Sequence, residues 1–441
     1  MTAWSSQLRT AVVSQFLGFM LDGYDLLFVS SLSPFIARAL LPPAMGGALG
    51  SLYAILTGIG LTMIARPLGG IIFGNLGDRI GRRHVLMITI IGFSVLSASI
   101  GFIPSYAIIG IWAVLLFAIL RFVEGIFIGG EYAGGHPLVM ELSPQGRRGF
   151  FGGLVQQAFP WGAVLGSVVV LGFLSLLGPA GMAAYGWRYV FFTGAAPAFV
   201  ALLIRYRILR DPALFEEIKS KGKTLKVPVA SLFKPPTLYK TLQVFMLAFG
   251  FFFTTYAFLA LGVPLFTAAG LKPGMAVFAF LIGVVGAATS TFYMGWISDK
   301  IGRRKMILMV AILNAIFSIP LYYAASINAK YGLLALVLLL SFAIGSISEA
   351  QIGAVPAYLS ERFPTEMRAS GLGTTYSLGV GIAGGLVAFL AVPLHGLLYG
   401  IQGSVPWLTC GLIGIIGAVI FGVAAYIGPE TKHVDLGKVA E

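Results

Sequence analysis

Seven charged residues interrupt long apolar segments of this 441-residue sequence, and five of them are acids. They are Asp22, Asp25, Glu124, Glu131, Glu349, Arg66 and Arg121. A charge in apolar surroundings is costly, so each of these side chains is expected to be paired or to have a function. A carboxyl group in such a place can exchange protons, and a guanidinium can bind a carboxylate. The sequence therefore predicts proton exchange and anion binding inside an apolar structure.

The spacing of these residues indicates which of them act together. Asp22 and Asp25 are three residues apart, so on a helix they share one face. Two carboxylates held close together in a low dielectric cannot both stay ionised, and we expect one of the two to take up the proton. Arg121, Glu124 and Glu131 form a stripe on one face of a second helix. Glu131 is expected to be a second proton site or relay, and Glu124 belongs to the same proton-coupling set.

Arg121 has two possible roles: it binds a substrate carboxylate, or it controls the acids. Alternatively, it pairs with Glu124 one turn away and only stabilises its own helix. Arg66 precedes Pro67 and is interpreted as part of a structural ion pair. His136 is interpreted as a hydrogen-bonded packing residue.

The composition explains where these charges lie. Hydrophobic residues make up 58% of the chain and charged residues 10%, whereas soluble domains contain about 25% charged residues. Many apolar runs exceed the roughly 18 residues that a membrane-spanning helix needs, and they lack the alternation of a barrel strand. The single cysteine, Cys410, excludes an intramolecular disulfide. No nucleotide loop, metal-binding cluster or nucleophile with its base is found, so the sequence indicates neither an enzyme nor a cofactor.

The apolar runs predict an all-α integral membrane protein with twelve spans. The spans are placed at 10–37, 48–72, 85–104, 108–140, 150–177, 187–208, 240–268, 274–297, 306–326, 332–359, 369–398 and 404–428. A polar stretch separates two sets of six, which gives an N-terminal bundle (1–209), a linker (210–238) and a C-terminal bundle (239–441). On this topology 23 of the 29 Lys and Arg residues lie on the side that carries both termini. The positive-inside rule then assigns both termini to the cytoplasm, and it explains the net charge of +13 without nucleic-acid binding.

An internal repeat relates the two sets of spans. The segment GNLGDRIGRRH (74–84) recurs as GWISDKIGRRK (295–305), and ELSPQGRR (141–148) recurs as ERFPTEMR (361–368). Each loop can link helix ends by charge-assisted hydrogen bonds and so hold one face of the protein shut. The expected gating residues are Asp78, Arg79, Arg82, Arg83, Glu141, Arg148, Asp299, Arg303, Arg304, Glu361 and Arg368.

These repeated loops, together with PETK at 429–432, resemble the major facilitator superfamily. RPLGGIIFGNLGDRIGRR (66–83) and RFVEGIFIGGEYAGG (121–135) resemble its proton-coupled metabolite and sialate/lactate branches, and DGYD (22–25) is similar to the aromatic-acid branch. Glu124 departs from these branches, where Gln is more common. The resemblance implies two six-helix bundles related by a pseudo-two-fold axis, with a central cavity that the first and fourth helices line in the first half.

Candidate cavity residues follow from that architecture. Besides Arg121, the substrate-binding candidates are Tyr24, Tyr53, Gln156, Gln157, Tyr256, Asn314, Glu349, Gln351 and Tyr376. The expected function is proton-coupled symport of a small organic anion, which is a carboxylate in the leading interpretation. The alternatives are a proton-coupled or facilitative transporter of a neutral sugar, or a transporter of phosphate. The expected partners are a small-molecule substrate, protons and lipid in the cell membrane, and the expected state is a monomer.

Overall fold

The computed structural model describes residues 4–43, 56–207, 217 and 228–436. Tyr53 and most of the expected linker lie outside these residues. Within them the chain is helical and contains no strand.

Six helical spans make up the first half. They are α1 (Ser6–Leu40), α2 (Leu61–Ile80), α3 (Arg82–Gly101), α4 (Ile111–Leu142), α5 (Arg148–Gln156 and Ala158–Gly181) and α6 (Trp187–Thr193 and Ala195–Arg207). A π-helical turn, Leu56–Gly60, leads into α2, a π-helical turn at Met182–Gly186 joins α5 to α6, and a short helix at Tyr106–Ile109 precedes α4.

Six more spans make up the second half. They are α7 (Thr237–Leu259), α8 (Pro273–Ile301), α9 (Arg303–Lys330), α10 (Leu334–Glu349, a 3-10 turn at Ala350–Ala354, and Val355–Arg362), α11 (Arg368–Gln402) and α12 (Trp407–Ile427). Short helices at Pro228–Ser231 and Gly262–Ala268 flank α7, and a 3-10 turn at Thr365–Met367 precedes α11.

Length and hydropathy identify ten of the described helical runs as able to cross a membrane, or eleven when the bent α1 is counted as one span. One run, Arg148–Tyr206, has 59 residues, far more than one crossing requires. This run contains both α5 and α6, and Gly178 interrupts its helical backbone with a φ of 65°. Counting that run as two gives the twelve predicted spans.

The same packing arrangement occurs in both halves. In the first half α2 packs against α4, α1 against α5 and α3 against α6; in the second half α8 packs against α10, α7 against α11 and α9 against α12. The halves meet where α2 lies on α11 and α5 lies on α8. The interface therefore places α2, α5, α8 and α11 between the halves.

Two predicted boundaries need correction. The hydropathy pattern ends the second span at residue 72, but α2 continues to Ile80 and includes Asp78. The pattern also predicts the tenth span as one helix, but its backbone changes to a 3-10 turn directly after Glu349. In both places polar groups are enclosed by neighbouring helices rather than by lipid, so hydropathy alone does not locate the end of the regular helix.

Candidate substrate and proton site

A narrow cavity lies between the two halves. Its walls come from α2, α5, α7, α10 and α11, and it has room for about one or two water molecules. The lining residues are Arg66, Gln156, Phe159, Pro160, Phe252, Thr255, Tyr256, Leu259, Glu349, Ile352, Tyr376 and Val380. We call this space the central cavity. One cation, one carboxyl group and several aromatic rings therefore share a single small enclosure.

Arg66 is the cationic side chain of the central cavity, and it is paired with Asp22 of α1. Its Nη1 donates to Asp22 Oδ2 over 3.0 Å, and its Nη2 donates to Asp22 Oδ1. Both residues are buried, and Arg66 Nε has no hydrogen-bond partner among the described residues. Arg66 does form the expected ion pair, but it also lies on the cavity wall. The sequence indicated no cation for Asp22 because the two residues are 44 positions apart.

Arg121 forms a separate, fully buried cluster with Asp25 and Glu124. Its Nη1 donates to Asp25 Oδ2 and to Glu124 Oε2, each over 2.7 Å, and its Nε donates to the Gly58 carbonyl over 2.7 Å. Arg121 does not line the central cavity. Its guanidinium bonds two carboxylates of its own half in this structure, and its direct contact with a substrate stays a prediction.

Glu131 lies in a third ion-paired cluster. It bonds both Nη atoms of Arg205, with Nη1 to Oε2 at 2.9 Å, and it accepts a hydrogen bond from Thr89 Oγ1 over 3.0 Å. Arg205 lies near the end of the predicted sixth span, where a basic residue is expected to face the cytoplasm, but it is fully buried in α6. A long side chain near a helix end can reach inward when a carboxylate is available to pair with it.

A second, smaller space lies beside α1, α3 and α4 within the first half. Asp22, Thr89 and Glu131 are its polar lining residues, and its other walls are Gly18, Leu21, Ile90, Phe93, Phe127 and Ile128. It has room for about one water molecule. Asp22 therefore borders this space while its partner Arg66 borders the central cavity.

Glu349 differs from the other intramembrane acids. It lies at the end of the regular part of α10 and lines the central cavity, with 4% of its surface exposed. Within residues 4–43, 56–207 and 228–436, no ion pair or hydrogen bond of its carboxyl group is observed. Its backbone carbonyl, by contrast, accepts a hydrogen bond from Thr291 Oγ1. The second half thus contributes an unpaired carboxyl group to the cavity.

Gln156, Tyr256 and Tyr376 join Glu349 as predicted substrate residues that do line the cavity. Gln156 Nε2 donates to the Tyr376 hydroxyl over 3.3 Å, and Gln156 Oε1 has no partner in the described part of the chain. Tyr376 also stacks on Tyr132 across the interface between the halves, with ring centroids 3.3 Å apart.

Other predicted cavity residues lie elsewhere. The Tyr24 hydroxyl hydrogen-bonds Thr193 and the Val190 carbonyl inside the first half. Asn314 Nδ2 donates to the Val310 and Ile347 carbonyls and so links α9 to α10.

Gln351 is fully buried and donates to the Ser348 carbonyl, and Gln157 is outside the lining set. Tyr53 falls outside the described residues. His136 is a packing residue, as expected: it hydrogen-bonds Gln15 and stacks on Tyr132.

Sequence reasoning missed Phe159, Phe252 and Thr255 as lining residues. Phe and Thr are common throughout these helices, and nothing in their spacing separates cavity-facing from lipid-facing positions. Arg66 could have been predicted as a lining residue, because a cation in an apolar span is expected to have a function.

The face of the protein that carries the repeated loops, which we call the Asp78 face, is closed by two equivalent carboxylates. Asp78 at the end of α2 accepts hydrogen bonds from the Ala369 and Ser370 amides over 3.1 and 2.7 Å. Asp299 at the end of α8 accepts them from the Gly149 and Phe150 amides over 2.8 and 2.7 Å. Each carboxylate therefore caps the N-terminus of a helix from the opposite half, where free amides and the helix dipole favour an anion.

The glycines after these acids make the turn possible. Gly81 and Gly302 adopt φ values of 108° and 103°, which disfavour residues with a Cβ. The turns direct Arg82 and Arg303 back into the interface, where both are fully buried.

Ion pairs extend this closure across the interface. Glu141 pairs with Arg82 and with Arg368 of the opposite half, over 3.2 and 2.8 Å. Glu361 pairs with Arg303 over 3.2 Å and with Arg148 of the opposite half over 3.5 Å.

Three further predicted gating residues lie outside these cross-half ion pairs. Arg83 and Arg304 donate to the carbonyls of Tyr206 and Tyr426 within their own halves. Arg79 is exposed.

The chain is similar in sequence to a family of membrane transporters. A family model described as Major Facilitator Superfamily matches residues 26–388. A putative metabolite transport protein of Haemophilus influenzae is 30% identical over 86% of this chain and 85% of its own length. The proline/betaine transporter of Escherichia coli is 29% identical over 86% and 76%, and the shikimate transporter of Escherichia coli is 26% identical over 97% and 96%.

Solved structures match almost the whole chain. A structure of the proton:xylose symporter XylE bound to 6-bromo-6-deoxy-D-glucose superposes with a TM-score of 0.80 at 20% identity, covering 99% of each chain. A partially occluded inward open conformation of the Escherichia coli xylose transporter XylE gives a TM-score of 0.68 at 20% identity, over 97% of this chain and 99% of that one. At this identity the likeness shows the fold.

Proposed function

Because this chain belongs to the major facilitator superfamily and is a membrane transporter rather than an enzyme, we propose that it couples proton entry to uptake of a small carboxylate. The proposed mechanism is alternating access, in which the central cavity opens to one side of the membrane at a time. The proposed location is the cell membrane, with both termini and the Asp78 face in the cytoplasm.

The Arg66–Asp22 pair at the central cavity is the observation that carries this proposal. While Asp22 is ionised it occupies both terminal nitrogens of Arg66. A proton on Asp22 removes that negative charge and leaves a buried guanidinium without a counter-ion, which is costly. A substrate carboxylate restores the pairing, so proton binding and substrate binding favour one another.

The names of the relatives support a carboxylate as the substrate. Proline, betaine and shikimate, which appear in their names, differ in shape and charge but each contains a carboxylate group. Arg66 offers the planar donor pair that suits such a group. The proton:xylose symporter of the same fold supports proton coupling as a mechanism that this architecture can use.

The closed Asp78 face supports alternating access. Asp78, Asp299, Glu141 and Glu361 all bond groups of the opposite half, and these contacts would have to break before the cavity opened to that side. The gating role proposed for these loops is to stabilise the state that is shut to the cytoplasm.

Transport in proteoliposomes tests the proposal. We expect an imposed proton gradient to drive accumulation of a carboxylate, and we expect Asp22→Asn to abolish that accumulation while leaving counterflow exchange. Arg66→Gln should remove both activities, because the substrate loses its cation. Glu366→Gln, which removes an acid outside the cavity, is the control.

Full gradient-driven accumulation by Asp22→Asn would refute proton coupling through this pair. Normal transport by Arg66→Gln would point to a neutral solute, such as a sugar, instead of a carboxylate.

A further inference from the structure

Glu349 needs an explanation that the Arg66–Asp22 pair does not provide. It belongs to α10 of the second half, whereas Arg66 belongs to α2 of the first half, and both line the same narrow cavity. Arg66 is already paired with Asp22. Among the described residues, no basic side chain forms an ion pair with the Glu349 carboxyl group.

An enclosed carboxylate without a counter-charge is unfavourable, and proteins normally pair or neutralise such groups. The first half follows this rule: Asp22, Asp25 and Glu131 each have an arginine. Glu349 is the exception, and it faces the space that a substrate would enter. A positively charged group on the substrate would supply the missing partner.

The surroundings of Glu349 suit such a group. Tyr256, Tyr376 and Phe252 line the same cavity, and aromatic faces attract ammonium groups. Gln156 lines the same cavity and adds a neutral polar side chain to it. The first-half wall of the cavity, by contrast, contributes the cation Arg66.

We propose that the substrate is a zwitterion whose carboxylate binds Arg66 and whose ammonium group binds Glu349. This inference rests on the proposed function for the carboxylate end and adds the class of the other end. Amino acids and quaternary ammonium acids have this chemistry, and organic acids without nitrogen do not.

Transport of a zwitterion with a proton would move charge across the membrane. A zwitterion has no net charge, so its entry with one proton moves one positive charge inward. Entry of a monoanion with one proton moves none. Uptake of a zwitterion should therefore respond to an inside-negative membrane potential.

The test uses the purified full chain in liposomes, with glycine betaine and proline as zwitterions and shikimate as an acid without an ammonium group. We expect accumulation of at least one zwitterion at low outside pH, and an increase when an inside-negative potential is imposed. Shikimate should accumulate at least about tenfold less, because it leaves Glu349 without a partner.

Glu349→Gln keeps the size of the side chain and removes its charge. It should lower zwitterion uptake at least about tenfold and leave the shikimate level unchanged or higher. Glu349→Asp, which keeps the charge, should recover part of the zwitterion uptake, whereas a merely structural role would not distinguish the two variants by substrate. Glu366→Gln again controls for loss of an acid.

Three results would overturn the inference: no accumulation of either zwitterion, wild-type zwitterion uptake by Glu349→Gln, or a clear preference for shikimate. The last result would leave the proposed function intact if shikimate uptake still required the proton gradient and Arg66. Zwitterion uptake that required Glu349 but was unaffected by Arg66→Gln or by the proton gradient would instead refute the proposed function.

Discussion

The two helix-capping carboxylates should hold the Asp78 face shut, and replacing one of them should open it. Asp78 accepts two amide hydrogen bonds from α11, and a hydrogen bond to a charged group is worth about 1.5–3 kcal/mol. Asn keeps one acceptor oxygen and loses the charge, so Asp78→Asn should weaken the closed state by roughly 2 kcal/mol. Since about 1.4 kcal/mol is a factor of ten, the ratio of open to closed molecules should rise about 30-fold.

A cysteine buried at the interface can report this change. Ala357 of α10 is fully buried in a cluster with Phe151 and Val155 of the first half, so it should become reactive only when the halves separate. Ala357→Cys would be introduced together with Cys410→Ala, and its alkylation rate by a maleimide would be measured in membranes.

Asp78→Asn should raise this rate about 30-fold. Asp299→Asn should act similarly, because Asp299 caps α5 in the equivalent way. Glu366→Gln removes a charge without touching either cap and should leave the rate unchanged. Equal alkylation rates in the parent and both Asp variants would show that the caps do not hold this face closed.

Two more predictions concern packing. Arg205→Met should lower the free energy of unfolding by about 3–5 kcal/mol, because it leaves Glu131 buried without its cation. Adding Glu131→Met should restore most of that loss. Thermal unfolding in detergent would measure both variants, and an unchanged unfolding midpoint in Arg205→Met would contradict the reasoning. Gly295→Ala would press a Cβ against the Gly149 carbonyl of the opposite half and should speed alkylation of the same introduced cysteine. Gly400→Ala, where an added Cβ meets no atom within 4 Å, is the matched control, and equal rates in the two variants would contradict a wedging effect.

The fold could be predicted because its evidence is local and repeated. Each span is a long, mostly apolar segment, and the loops around Asp78 and Asp299 recur at nearly the same offset as those around Glu141 and Glu361. The packing of the two halves follows that repeat, with α2 on α4 in one half and α8 on α10 in the other.

The site could be predicted only in part, because its pairings are distant in sequence. Asp22 and Arg66 are 44 residues apart, and Glu131 and Arg205 are 74 apart. Arg205 lies close to the end of its helix, where a basic residue normally marks the cytoplasmic side of the membrane. The sequence therefore does not indicate that its side chain points inward.

The direction in which a side chain points from its helix could not be predicted either. Tyr24 points into the core of its own half and Tyr376 points into the cavity, although both lie in apolar helices. A helix that is apolar on all sides has no polar face to indicate which side meets lipid, a neighbouring helix or the cavity.

The pairing of acids and arginines in the first half also bears on how the chain enters the membrane during synthesis. Asp22 and Asp25 are made first, and their partners Arg66 and Arg121 follow 44 and 96 residues later. Until then α1 contains two acids without counter-ions, and a single Asp at the centre of a span opposes insertion by roughly 2.5–3.5 kcal/mol. The first helix should therefore stay beside the insertion machinery until α2 and α4 arrive, so the order of synthesis also sets the order of assembly.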